Sequence, residues 1–353
     1  MNETHYYHAI AIATQSGYAT MRKYRSVSGG SWEAAYHRLK NNSALLPEYA
    51  APLPDPEAAY EHMASLGIRL ILDSEKEFPE ALRNIPYPPF GIYVRGGPSA
   101  SLPSSRVTIA VVGTRRASAE GKKIARSFAR ELADAGRTIA SGLAFGIDSA
   151  AHEGALDAGG VTVAILAGGL DSVYPHSHRA LAERILASGG MLISEYPPGE
   201  PPLAYRFIER NRIMSGLSRG VLIVEAPESS GALATARYAL EQDREVFVVP
   251  GAITSTHFKG SHTLIRQGAE LVTSPDEILE AYGIEKNKCA SGKRVVASPE
   301  EILVLKALTD ISVPADVDKL IALTRLEPRI VNQTLSFLLI RGTIKESDGG
   351  YTI

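Results

Sequence analysis

Residues 107–273 repeat one unit several times: an apolar run, a Gly-rich or polar corner, then a stretch with helical spacing. The apolar runs at 108–112, 137–140, 161–166, 191–194, 220–224, 245–249 and 270–273 are rich in Val, Ile and Ala and barely alternate. A strand with one wet face alternates polar and apolar residues, whereas a strand covered on both faces reads as a continuous apolar run. Between the runs, Ile124, Phe128, Ala129 and Leu132 share one helix face, and Leu181, Ile185 and Leu186 share another. Strand–helix alternation with short corners predicts a doubly wound, mostly parallel α/β sheet of Rossmann-like type. Ligands of such sheets lie beyond the carboxyl ends of the strands.

The corners at those ends carry a distinctive chemistry. Val112-Gly113-Thr114-Arg115-Arg116-Ala117-Ser118 follows the first run, with Ser118 placed to cap the next helix. Arg210-Asn211-Arg212 precedes the run ending at Val224-Glu225-Ala226, and Ser230-Gly231 follows it. Ser141-Gly142 and Gly168-Gly169 end two further runs. Gly lets backbone amides approach a phosphate, and a helix start offers unpaired N–H donors. Arginine matches phosphate with a planar, two-pronged donor set. Phosphate contact is therefore expected first of Arg115 and Arg212, then of Arg116 and Arg210. Phe145 and Tyr174 fall on the same rim, where base stacking and core packing both remain open.

The whole chain, 353 residues with a formal net charge of -2, projects no general basic field. A nucleic-acid site would have to be local, as in the cluster Arg115, Arg116, Lys122, Lys123 and Arg126. The single cysteine, Cys289, excludes an intrachain disulfide and a cysteine cage for metal. Neither a signal peptide nor an apolar run long enough for a membrane helix is evident, so a cytoplasmic protein is expected.

Residues 1–65 read as a small helical module, with Ser31 and Asp55 opening two of its helices. Residues 66–284 hold the sheet, beginning with a bridge in which 68–72 and the segment after the Pro-rich turn 86–90 read as strands. A polar linker spans 285–296. In 297–353, helices at 299–308, 315–324 and 327–341 precede a hairpin around Asp348-Gly349, the pattern of a winged helix. Its third helix offers only Arg329, Asn332, Gln333 and Arg341, a sparse charge that favours protein contact or a structural role over DNA.

Catalysis has few candidates. Asp148 and His152 share a helix face, and Ser141 completes a conceivable triad. Ser141 lacks the elbow motif that exposes a nucleophile, so Asp148 is expected to orient the Gly corner and His152 to pack on the sheet. His176 and His178 read as polar surface or ligand-edge residues, and no metal site is expected. Glu195 and Glu225 end buried runs, where they suit acid–base work or the orientation of Arg115 or Arg212. Without a nucleophile or metal beside them, the second role is favoured.

In these residues the stretch 112–269 resembles the DNA-processing protein A family of bacteria, also called Smf. The matching pieces are Gly113-Thr114-Arg115, Ser141 through Asp148 with Ala151-His152, Gly154-Ala155-Leu156, Tyr174-Pro175 and Ser194 through Gly199. They continue with Arg210-Asn211-Arg212-Ile213, Val224-Glu225-Ala226, Ser230-Gly231-Ala232-Leu233, Val249-Pro250-Gly251 and Leu264-Ile265 with Gly268-Ala269. The resemblance implies an extended Rossmann-like domain between an N-terminal helical (SAM-like) module and a C-terminal winged helix. It implies single-stranded DNA binding, and delivery of that DNA to the RecA recombinase during natural transformation. It also implies a homodimer formed through the later part of the domain, after Val249. No catalytic residue, cofactor or metal is implied. Carried onto this chain, the phosphate pocket falls on Gly113, Thr114, Arg115 and Ser118, with contributions from Ser141-Gly142, Gly168-Gly169, Arg210-Asn211-Arg212 and Ser230-Gly231. The chain departs from the family at His178 and near His262, where Asn is usual, and its N-terminal module lacks the Gly-rich hairpin motif of many members.

The competing function is a nucleotide-hydrolysing enzyme of the phosphoribohydrolase type, whose Pro-Gly-Gly-x-Gly-Thr corner is absent, since Glu225 is followed by Ala226-Pro227-Glu228. A third is a nucleotide-sensing scaffold whose winged helix binds a partner.

Overall fold

The computed structural model describes residues 1–15, 17–96, 102, 108–284, 299–311, 314–340, 344–347 and 350–352. The chain forms two units, Met1–Lys286 and Asn287–Ile353.

The strands of the first unit are β1 (Ile68–Leu72), β2 (Gly91–Gly96), β3 (Thr108–Val112), β4 (Thr138–Ser141), β5 (Thr162–Ile165), β6 (Met191–Ser194), β7 (Gly220–Ile223), β8 (Glu245–Val248) and β9 (Glu270–Leu271). Its helices are α1 (Glu3–Thr14), α2 (Tyr18–Val27), α3 (Trp32–Asn41), α4 (Pro56–Ser65), α5 (Glu80–Arg83), α6 (Ala119–Asp134), α7 (Ile147–Asp157), α8 (Arg179–Ala187), α9 (Ala204–Gly216), α10 (Ala232–Glu241), α11 (Lys259–Arg266) and α12 (Pro275–Ala281).

All nine strands join one sheet in the order β1-β2-β6-β5-β4-β3-β7-β8-β9. From β6 to β9 every neighbouring pair is parallel. The expected bridge is part of this sheet: β2 pairs antiparallel with β6, Tyr93 opposite Ser194, and β1 pairs antiparallel with β2. The chain runs from β3 outward through β4, β5 and β6, then returns to place β7 on the other side of β3. That reversal is the topological switch point, where an open α/β sheet leaves a crevice.

Alternate residues of β3 serve two separate cores. Ala110 and Val112 belong to the one built with α9 and α10, and Ile109 and Val111 to the one built with α6, α7 and α12. Helix α6 turns Ala125, Phe128, Ala129 and Leu132 inward at helical spacing. Burying a side chain the size of Phe128 or Leu132 contributes about 1.5–3 kcal/mol. Ser118 starts this helix by accepting from Gly121 N at 2.9 Å, and Ser31 and Asp55 cap α3 and α4 in the same way. The N-terminal helices pack on the sheet itself, since Tyr7, Ile10, Trp32 and Leu39 share a core with Ala164, Leu166 and Leu192.

The second unit holds α13 (Pro299–Ile311), α14 (Val317–Thr324), α15 (Pro328–Ile340) and the hairpin β10 (Lys345–Ser347) with β11 (Gly350–Thr352). A bridge from Ala315 to Tyr351 adds a third edge to the hairpin, completing a winged-helix arrangement around Val304, Leu320, Val331 and Leu335. Arg329, Asn332 and Gln333 are exposed on α15. The linker 285–296 with Cys289, the turn Asp348-Gly349 and Arg341 lie outside the described residues. Among the described residues no helix is long and apolar enough to cross a membrane.

Candidate nucleic-acid interface

A cleft of about 830 Å³ opens at the switch point. Its walls come from the β3–α6 corner (Gly113 to Arg116), the β4–α7 corner (Ala144, Asp148), helix α9 (Ala204, Phe207, Ile208, Arg210, Asn211) and the β7–α10 corner (Ser229, Ser230, Gly231). Thr256 and His257 close it from the segment after β8. A second cleft, about 250 Å³, shares Tyr174, Pro202 and Phe207 with the first.

Charge is distributed unevenly over these walls. The lining holds three arginines, Arg115, Arg116 and Arg210, against one carboxylate, Asp148. Arg115 and Arg116 are exposed. The Arg115 guanidinium lies 4.5 Å from the centre of the Phe207 ring, and Phe207 in turn lies 5.8 Å from Tyr174. This guanidinium–aromatic row is a surface on which planar groups stack. Phe207 escapes sequence reading because nothing separates it from an ordinary apolar residue until α9 turns it into the cleft. Phe145 is 48% exposed and packs on the edge of His178 rather than in either cleft.

Arg210 and Arg212 stand in a different setting from the one expected. They do not form a corner before β7 but occupy the last turns of the thirteen-residue helix α9. That helix hides in the sequence because its inner face carries Arg206, Arg210 and Arg212 in place of apolar residues. Arg212 does not line the cleft; it is buried and gives one nitrogen to both oxygens of Glu195, at 2.7 Å each. Burial pushes the Glu195 carboxyl up and Arg212 pulls it back down. Arg210 reaches under the cleft floor and donates to the carbonyls of Gly142 and Ile165. Burial lowers its pKa to about 10, with Asp148 opposing that shift. Arg206 is wholly buried, paired with Glu200 at 2.7 Å and stacked 4.3 Å from the centre of Tyr196.

Glu225 orients no arginine. Its carboxylate accepts from Ser118 N and Ser118 Oγ, the latter at 2.6 Å, and pairs with His257 Nδ1 at 2.6 Å. Ser118 is thereby engaged twice, as helix cap and as donor, and lies behind the cleft wall. Thr114 lines the cleft, with its Oγ1 accepting from Arg116 N. Asn211 donates to the carbonyl of Gly231 at 3.4 Å.

Most of the glycines admit protein rather than ligand. A Cβ on Gly142 would fall 2.3 Å from an Arg210 guanidinium nitrogen, so this glycine makes room for the arginine beneath it. Gly113 faces Ile147, and Gly168 and Gly169 face the backbone of 197–202, with similar closeness. Gly231 differs: a Cβ there would meet nothing within 4 Å, and the start of α10 behind it faces the open cleft.

The conceivable triad is not assembled. Ser141 Oγ donates to the Val111 carbonyl at 2.7 Å. Asp148 accepts from the amides of Gly142 and Ala144, which ties the Gly-rich corner to α7. Burial raises its pKa, against the pull of Arg210. His152 Nδ1 meets Thr162 Oγ1 at 2.7 Å, and burial lowers the His152 pKa to about 3, so the ring is neutral. Among the described residues no group of three His, Cys, Asp or Glu side chains could hold a metal.

Residues 69–283 match the protein family described as DNA recombination-mediator protein A. The chain is 44% identical over 288 residues to Protein Smf of Escherichia coli (strain K12), across 79% of this chain and 75% of that protein. The X-ray structure of DNA processing protein A from Streptococcus pneumoniae is similar, with a TM-score of 0.64 at 31% identity over 79% of this chain and 98% of that one. DNA processing protein A from Helicobacter pylori, whose structure concerns a single-stranded DNA binding mode, gives a TM-score of 0.54 at 28% identity. That match covers 61% of this chain and 95% of the H. pylori chain.

Proposed function

The chain belongs to the DNA recombination-mediator protein A family, and from that premise we propose that it binds single-stranded DNA along the switch-point cleft and passes it to a RecA-type recombinase. One observation carries this reading most: Arg115 and Arg116 are exposed in a cleft whose one lining carboxylate, Asp148, is buried and engaged with backbone amides. Phosphates entering there meet guanidinium groups and the start of α10, and find no competing exposed acid among the lining residues. Bases of an unpaired strand stack on the Arg115–Phe207–Tyr174 row. A duplex keeps its bases stacked on one another and gains nothing from that row.

The matched family and the S. pneumoniae structure support a DNA-processing role, and the H. pylori protein supports the choice of single-stranded DNA. Dimerisation belongs to the same proposal: Ile253 and Leu271 expose 89% and 45% of their surface in the part of the domain after Val249. The protein would act in the cytoplasm, where recombinase and incoming strand meet.

Titration of labelled oligo-dT and of a duplex of equal length at two salt concentrations tests the reading. The single strand should bind more tightly, and log affinity should fall with log salt by about 0.7 per phosphate neutralised. Equal affinity for the duplex, or affinity indifferent to salt, would remove the proposal. With recombinase added, strands coated with single-strand-binding protein should acquire filaments faster in the presence of this protein.

A further inference from the structure

His257 is a cleft residue that neither the motifs nor the phosphate reading accounts for. It sits in a short turn, Thr256–Phe258, after β8, held by Ser255 Oγ accepting from the His257 amide at 3.3 Å. Its side chain is 44% exposed and lines the large cleft. Its partner Glu225 is entirely buried, and the 2.6 Å contact joins Nδ1 to Oε1. Glu225 is itself fixed by the two donors of Ser118.

The tautomer follows from the partner. A carboxylate only accepts, so Nδ1 carries the proton that binds it. In the neutral ring Nε2 is then a bare acceptor, which repels a phosphate oxygen. In the charged ring Nε2 is a donor, which a phosphate attracts. A phosphate in this cleft therefore selects the protonated ring. We propose that His257, oriented by Glu225, is a phosphate-contacting residue of the cleft and couples single-strand binding to protonation of its ring.

Other charged groups share the cleft with His257 or flank it. Glu225 comes from the end of β7, Arg115 and Arg116 from the β3–α6 corner, Asp148 from α7 and Arg210 from α9. Lys259 and His262 follow on α11, where the His262 ring meets the Gly251 carbonyl at 3.1 Å. The arginines keep their charge across the neutral range, and Asp148 is tied to the Gly142 and Ala144 amides.

The inference rests on the cleft being the DNA site, so the experiment carries Arg115→Ala as a reference. Oligo-dT affinity is measured for the wild type, Arg115→Ala, His257→Ala and His257→Arg from about pH 6 to pH 8, the range in which an imidazole changes charge. The wild type should lose roughly tenfold across that range, the change expected when about half a proton on average is bound on association. His257→Ala should start weaker by roughly tenfold to a hundredfold at the acid end, the size of one charged hydrogen bond, and then vary less than about twofold. His257→Arg, charged throughout, should bind at pH 8 as tightly as the wild type does at pH 6. Calorimetry of the wild type in buffers of different ionisation enthalpy should register proton uptake on binding, a readout that needs no variant to fold. A His257→Ala profile parallel to the wild type, or an absence of proton uptake, overturns the inference. If Arg115→Ala binds as the wild type does, the placement of DNA in the cleft fails instead.

Discussion

Arg115 and Arg212 each lie close to a buried strand, each beside a second arginine in the same segment, and each looks in the sequence like a phosphate ligand. Arg115 follows the strand: the chain leaves β3 at Val112, turns through Gly113, and leaves the guanidinium exposed over Phe207 at the mouth of the cleft. Arg212 precedes a strand, within a helix that packs across the sheet, and its charge is spent on Glu195 in the interior. Composition is the same and electrostatic consequence is opposite. What separates them is the element that carries each: Arg115 lies in the loop at the carboxyl edge, where an open parallel sheet presents ligands, and Arg212 on a buried helix face. The arginines on that helix face are enclosed, and an enclosed charge has to find a partner, as Arg212 does in Glu195, or a set of carbonyls, as Arg210 does.

The contrast is broken or sharpened by substitution, and the largest effect belongs to the buried side. Arg212→Ala leaves Glu195 buried without its partner and should cost about 3–5 kcal/mol of folding stability. Urea unfolding monitored by circular dichroism measures this; a midpoint at the wild-type value would show that Arg212 is not the structural residue described. Glu195, no longer held down by Arg212, should then take up a proton in the folded state.

A smaller effect distinguishes the glycines of the two settings. Gly142→Ala drives a methyl group into the Arg210 guanidinium, which is locked by two carbonyls, and should cost about 1–3 kcal/mol as overpacking does. Gly231→Ala meets open space at a right-handed helical φ and should change stability by less than about 1 kcal/mol, in the stabilising direction. Melting temperatures of the two proteins side by side report the order, and equal losses would mean that Gly231 is as enclosed as Gly142.

The sheet itself was legible. Continuous apolar runs give β3 and β6 to the residue, and β4, β5, β7, β8 and β9 to within one or two residues at their ends. The corner glycines and prolines explain that accuracy, since glycine lets the chain turn sharply and proline removes a backbone donor. Helix α9 was not legible, and with it went the environment of Arg206, Arg210 and Arg212. Hydrophobic periodicity cannot reveal a helix whose inner face is charged and satisfied by carboxylates and carbonyls distant in sequence. The glycines misled for a related reason: a residue without a side chain makes room for whatever approaches it, and at Gly142 the approaching group is the protein's own arginine. His257 carried no signal at all, because its partner Glu225 lies 32 positions away and is brought to it by the β7–β8 pairing and the loop beyond.

Arg115→Ala, with oligo-dT affinity and melting temperature taken from the same preparation, tests the central claim most directly. The guanidinium is exposed, stacks over Phe207 and acts on buried Asp148 only through its charge, so affinity should fall roughly tenfold to a hundredfold while the melting temperature stays within about 2 °C of the wild type. Undiminished affinity would contradict the account, as would a loss of affinity that merely followed a loss of stability.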